Sequence, residues 1–109
     1  MSKKKAEKII EDLKLKIDLI QIYKFCQDFH ISSLKLFGSI LSENFTDSSD
    51  IDILIEFEPK FVPGFFKFIE IQEKLSILLN NRKVDLRTKN DLSRYFREEV
   101  LNKAVEIFD

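Results

Sequence analysis

A chain of 109 residues with 18 basic and 19 acidic side chains, net charge −1, is one domain by length and lacks the basic excess of a general nucleic-acid binder. Its single cysteine, Cys26, excludes an internal disulfide and a cysteine-based metal site, and a reducing cytoplasm fits that usage. Eleven Phe in a 44% apolar composition supply a core without any Trp.

The chain opens Met1-Ser2-Lys3-Lys4-Lys5 with no uninterrupted apolar stretch behind it. No signal peptide is therefore expected, the lysines read as a solvated end, and no apolar run approaches the ~18 residues of a membrane span. Residues 6–29 read as helix. Ala6, Ile10, Leu13, Ile17 and Ile20 recur at three- and four-residue spacing, and Leu15, Leu19, Ile22, Cys26 and Phe29 repeat it in another phase. Either one helix carries a wide apolar face, or the chain bends near Leu13 to Leu15. Cys26 lies on the apolar stripe and reads as core, and His30 as a helix-end residue. Ser32-Ser33 breaks the pattern, and Leu34, Leu36 and Phe37 form a short strand running into Gly38.

The clearest strand is 51–57, where Ile53-Leu54-Ile55 is apolar on both sides, as in an interior strand. Pro63-Gly64 punctuates the next loop. A second helix over 65–79 carries Phe65, Phe68, Ile71, Leu75 and Leu78 on one face and stops at Asn80-Asn81. The phenylalanines of this region read mostly as core. Four Phe between residues 61 and 68 nevertheless exceed the needs of one helix face, which leaves Phe61 or Phe66 for the surface and a partner. Val84-Asp85-Leu86-Arg87 is a third short strand. Asp91 or Ser93 caps a final helix carrying Phe96, Val100, Ala104, Val105 and Phe108. The order helix, strand, strand, helix, strand, helix predicts an α+β domain with α/β-type layers: a small mixed central sheet flanked by helices. Residues 1–32 form its N-terminal helical segment and 33–109 its core.

Chemistry concentrates in Gly38-Ser39, ten residues, then Asp50-Ile51-Asp52. Side chains two apart on a strand share a face, about 6.5 Å apart along the backbone. Two metals of a phosphoryl-transfer site stand about 3.5–4 Å apart, so two carboxylates at this spacing can bracket them. Without a cation their repulsion raises one pKa. Gly38 lets backbone approach a phosphate closely. Ser39 adds a hydroxyl, a backbone N–H and the start of a short helix, whether as a cap or as a phosphate contact. Four such fixed positions coincide by chance in roughly one chain in a thousand of this length.

This pattern resembles the Gly-Ser-x10-Asp-x-Asp signature of nucleotidyltransferases related to DNA polymerase β, and the small size is similar to their minimal nucleotidyltransferase branch. Leu36-Phe37 before the turn and Leu54-Ile55-Glu56-Phe57 after the acids agree with it. Lys83-Val84-Asp85-Leu86 looks like the family's third-acid strand, and Glu98-Glu99-Val100-Leu101 like part of its closing helix. The resemblance implies the nucleotidyltransferase fold, with Asp50, Asp52 and Asp85 as catalytic ligands of two Mg²⁺ ions. Asp85 would also help take the proton from the attacking hydroxyl. Gly38, Ser39 and Arg87 would bind the nucleotide, Ser39 at the β- or γ-phosphate. It further implies transfer of AMP from ATP to a tyrosine hydroxyl of a partner HEPN-domain ribonuclease toxin, as a cytoplasmic antitoxin with no direct nucleic-acid or membrane contact.

One departure stands out. Family members often follow Gly-Ser with Arg-x-Arg-Gly, whereas this chain has Ile40-Leu41-Ser42-Glu43. Cations for the triphosphate must come from elsewhere: Arg87, two residues after Asp85 and on the same strand face, or else Arg82, Lys83 or Lys35. The same departure motivates a second reading, an antitoxin that neutralises its partner by binding alone. A third, nucleotidyl transfer to a small molecule such as an aminoglycoside, is disfavoured because the short chain leaves little room for an acceptor pocket.

Overall fold

The computed structural model describes Lys8, Glu11 and residues 18–109. Among the described residues the order is α1 (Leu19–Asp28), β1 (Ile31–Phe37), a 3₁₀ turn (Gly38–Leu41), β2 (Ile51–Phe57) and α2 (Phe65–Leu78), then β3 (Val84–Arg87), α3 (Arg97–Lys103) and β4 (Val105–Phe108). Much of the first half of the helix expected over 6–29, and the expected bend near Leu13 to Leu15, lie outside the described residues. The continuous described stretch begins at Asp18. That residue has extended backbone, and its carboxylate accepts a hydrogen bond from the Ile20 N–H at 3.0 Å, an N-cap that satisfies one of the free donors of α1.

The four strands form one mixed sheet in the order β3-β2-β1-β4. β1 is antiparallel to both β2 and β4, and β2 is parallel to β3. β2 and β3 span the residues their sequence predicts. α2 stops at Leu78, followed by Asn80 and Asn81 in the left-handed region (φ 64° and 62°), which asparagine tolerates better than most residues. His30, also left-handed (φ 55°), turns the chain from α1 into β1 and places its Nδ1 3.1 Å from Glu58 Oε2.

Three expectations are corrected. Ser32-Ser33 does not delay β1, which starts at Ile31; the pairing with β2 shifts between Ile31 and Ser33, so the two serines mark a bulge within the strand. The final helix ends at Lys103, and Val105-Glu106-Ile107-Phe108 forms β4 against β1. Val105 and Ile107 are buried while Glu106 faces the other way, the period-two alternation of a strand with one covered face. Neither Asp91 nor Ser93 is the N-cap of that helix, a position held by Phe96. Asp91 instead closes a capping box with Thr88 around a separate 3₁₀ turn, Lys89–Asp91, and these Thr88 bonds hold its carboxyl below the usual carboxylate range.

The alternation gives the sheet two unlike faces. Leu34, Leu36, Ile51, Ile53, Ile55, Val84, Leu86, Val105 and Ile107 join Ile22, Phe25 and Cys26 of α1 and Ile71 and Leu75 of α2 in one core. Each fully buried side chain of this size contributes about 1.5–3 kcal/mol. The opposite face carries Lys35, Phe37, Asp52, Glu56, Asp85 and Arg87, all half-buried or exposed. Phe66, at the start of α2, is 85% exposed and Phe61 47%, as the surplus of phenylalanines led one to expect, whereas Phe65, expected on the apolar face of the helix, is 72% exposed. Phe61 stacks on the His30 ring with centroids 3.6 Å apart. No helix among the described residues is long and apolar enough to cross a membrane.

Cys26 is fully buried, and burial pushes its thiol pKa up to about 12. Because the thiolate is the reactive form, an aromatic disulfide reagent at pH 8 is expected to leave the native protein unlabelled over minutes. In concentrated guanidinium it should label one thiol per chain. Rapid stoichiometric labelling without denaturant would contradict this placement.

Candidate active site

Strand register brings the predicted residues together. The antiparallel pairing sets Phe37 opposite Asp52, and the parallel pairing sets Asp52 opposite Asp85. One row across the open face therefore reads Phe37, Asp52, Asp85. The next row holds Lys35, Leu54 and Arg87, paired through the same registers. Asp50 precedes β2 beside Lys83, whose Nζ lies 3.9 Å from Asp50 Oδ2.

Gly38 seals this arrangement. Its φ is +76°, in the region that glycine adopts without penalty. A Cβ built there would overlap Asp52 Oδ2 and lie 3.1 Å from Asp52 Cγ. The turn thus rests on the carboxylate of the strand beside it, and the Ser39 backbone N–H donates a hydrogen bond to Asp52. That N–H, which the sequence offered to a phosphate, is engaged by the carboxylate; the Ser39 side chain is half-buried.

The missing basic segment after Ser39 has a structural counterpart. Ile40 is 4% exposed and belongs to the core, with Leu41 packed against it. An apolar side chain anchors the turn at the position where the family often carries its first arginine. Ser42 is tied back to the Ser39 carbonyl through both its backbone N–H and its hydroxyl, each at 2.9 Å.

Among the possible cations, Arg82 has another task. Its Nη2 donates to the carbonyls of Thr46 and Ser49, both at 3.0 Å, and its guanidinium lies over the Phe45 ring. It braces the spacer between Ser39 and Asp50, a role that spacing along the chain does not reveal because its partners are 33 and 36 residues away. Arg87 faces the site but grips Asp85: Nε to Oδ1 at 3.1 Å and Nη2 to Oδ2 at 3.3 Å. This fork is the strong geometry for a guanidinium and a carboxylate.

Electrostatics single out Asp52. Burial is the main cause that raises its carboxyl above the usual range, followed by repulsion from Asp85 and then Asp50. The Ser39 N–H and the Arg87 charge oppose this and do not cancel it. As the side chains stand, no three His, Cys, Asp or Glu among the described residues are gathered tightly enough to ligate one ion, since Asp85 is held by Arg87 and Asp50 lies toward Lys83. The donor chemistry nevertheless suits a hard cation. Three carboxylates on neighbouring strands supply oxygen ligands, and the under-compensated negative charge at Asp52 is what a divalent ion would relieve.

The profile of the family described as "Polymerase beta, Nucleotidyltransferase" matches residues 20–109. Protein adenylyltransferase MntA of Thermococcus cleftensis is 37% identical over 79 residues, 72% of this chain and 77% of that protein. Among solved structures, a toxin–antitoxin with AMP-PNP superposes with a TM-score of 0.66 at 22% identity, covering 84% of this chain and 73% of the other. A mutant of the MntA–HpeT toxin–antitoxin, bearing two aspartate-to-glutamate replacements two positions apart, gives 0.64 at 20% identity with the same coverage. At these identities the structural likeness is one of fold.

Proposed function

Because the chain belongs to the polymerase beta nucleotidyltransferase family, we propose that it transfers AMP from ATP to a tyrosine hydroxyl of a partner HEPN ribonuclease toxin and so acts as a cytoplasmic antitoxin. Residues 33–109 form the catalytic core in this reading. The single observation that carries it is the register that sets Asp52 beside Asp85 with Gly38 closed against Asp52. The MntA relative, named a protein adenylyltransferase, and the likeness to a toxin–antitoxin with AMP-PNP support the same activity and the same kind of partner.

Asp50, Asp52 and Asp85 would hold Mg²⁺, two ions by resemblance to the family. When bound, the metal neutralises phosphate charge and stabilises the charge that develops in transfer. The chain's own residues position the reactants. The Gly38 turn leaves room for the phosphates beside the carboxylates, the Ser39 hydroxyl bonds the β- or γ-phosphate, and Arg87 offers its guanidinium to the same chain of phosphates. Asp85 accepts the acceptor's proton as the hydroxyl oxygen bonds the α-phosphorus. The α–β phosphoanhydride bond breaks and pyrophosphate leaves.

The test is label transfer from ATP with Mg²⁺ to a HEPN-domain protein from the same genome. Wild type is expected to exceed an Asp50→Asn/Asp52→Asn double mutant by at least about a thousandfold, the scale of metal and electrostatic contributions in such sites. Equal labelling by the two proteins would sink the catalytic reading. The burial of Ile40 where a cation is common favours, as the second reading, neutralisation by binding alone. It predicts that the double mutant still protects cells from the toxin, and loss of protection with the complex intact would count against it.

A further inference from the structure

The three carboxylates are not equally available. Asp52 makes no ion pair among the described residues, and Asp50 has only the 3.9 Å approach of Lys83, whose side chain is 82% exposed. Asp85 alone has both oxygens engaged, by Nε and Nη2 of Arg87 at 3.1 and 3.3 Å. The pair is half-exposed, with side-chain accessibilities of 47% for Arg87 and 36% for Asp85, so the guanidinium is held by geometry and not by burial. Arg87 is also the cation best placed for phosphate. The turn after Ser39 carries none, and Arg82 is committed to two carbonyls of the spacer. Leu54, its partner in register, puts Arg87 on the open face one row from Asp52.

Arg87 therefore has two anionic partners in competition, and we propose that it is a latch on the third carboxylate. In the nucleotide-free protein it occupies both oxygens of Asp85 and keeps that side chain from a metal; an arriving polyphosphate draws the guanidinium away and releases Asp85 to the ion. The inference rests on the nucleotidyl-transfer reading and deepens it by making Arg87 a positioning residue that couples the two ligands. Such coupling is reciprocal: nucleotide tightens metal binding by the same factor that metal tightens nucleotide binding.

The opposed signs of the expected changes make the latch testable without activity. Binding of Mn²⁺ alone, followed by its electron paramagnetic resonance signal, should tighten in Arg87→Gln by roughly threefold to tenfold, the scale of a half-exposed bidentate pair. Binding of a non-hydrolysable ATP analogue in the presence of Mn²⁺ should weaken by about tenfold in the same variant, which loses a charge-assisted phosphate contact. The factor by which the analogue tightens Mn²⁺ binding should shrink accordingly. Arg87→Lys, which keeps the charge and loses the fork, should retain more analogue affinity than Arg87→Gln while still tightening Mn²⁺. A merely structural role would weaken both ligands together, and that result overturns the latch. So does an Mn²⁺ affinity unchanged by Arg87→Gln when wild type binds the ion and Asp52→Asn does not. If neither wild type nor Arg87→Gln binds Mn²⁺, the latch falls together with the reading beneath it.

Discussion

Asp52→Asn is expected to transfer no measurable AMP and yet to be slightly more stable than wild type when metal is absent. The two effects have one cause. Asp52 is partly removed from water beside two further carboxylates, and burial, then Asp85, then Asp50 raise its pKa. Holding it ionised thus costs folding free energy. For an acid whose folded pKa is raised, that cost is nil below the unfolded value of about 3.9, grows as pH climbs through the raised value and is complete above it. The stability gained by Asp52→Asn should follow the same course, absent in strong acid and full at neutral pH. Its size is under about 1 kcal/mol, because the group keeps contact with screening solvent. Mg²⁺ should reverse the order: it binds the folded wild type and raises its melting temperature by mass action, while the asparagine variant gains far less. Thermal melts with and without Mg²⁺ at two pH values check this. An Asp52→Asn protein less stable than wild type at neutral pH without metal would mean that the Ser39 N–H bond to the carboxylate outweighs burial and the repulsion of Asp85 and Asp50.

That electrostatic conflict was legible from the Asp-x-Asp spacing, which predicts like charges on one strand face. The third member was legible too, since β3 is four residues of clear alternation, Val84 and Leu86 inward, Asp85 and Arg87 outward. What the sequence could not show is register. Asp52 meets Asp85 because Ile51 pairs with Val84, a long-range choice made by the shared core, and the clamp of Arg87 on Asp85 depends on side-chain torsions that spacing does not fix. β4 was missed for a related reason. Val100, Ala104, Val105 and Phe108 continue a helical spacing as easily as Val105 and Ile107 begin a strand. The deciding partner is β1, some seventy residues earlier, where Leu36 pairs with Val105. Phe65 shows the limit of periodicity in the other direction: it keeps the spacing of the apolar face of α2, yet in the first turn of that helix it is 72% exposed.

Gly38→Ala should be the most damaging small substitution in the site, and Gly64→Ala is its control. At Gly38 two penalties coincide. The backbone is left-handed, φ +76°, and an added Cβ has no room beside the Asp52 carboxylate. Backbone strain of this kind costs on the order of 1–3 kcal/mol. The overlap adds a second demand, that either the turn lift away or Asp52 rotate out of the row it shares with Phe37 and Asp85. Either movement also breaks the Ser39 N–H bond to that carboxylate, so transfer should fall by at least about a hundredfold, the effect of misplacing a reacting group by roughly 1 Å. Gly64 differs on both counts: its φ is −76°, and a Cβ there would meet nothing within 4 Å. Alanine at that position trims the freedom of the unfolded chain and is a poorer N-cap for α2, two effects that oppose each other and leave stability within about 0.5 kcal/mol of wild type. Urea unfolding of the two variants separates the cases. If both cost the same, the damage at position 38 comes from losing a generic glycine and not from the contact with Asp52. If Gly38→Ala is destabilised yet transfers AMP at the wild-type rate, the turn does not set the position of the carboxylate. On the proposed mechanism the contrast would tie catalysis to one missing methyl group: a hydrogen in its place lets the chain turn against the Asp52 carboxylate.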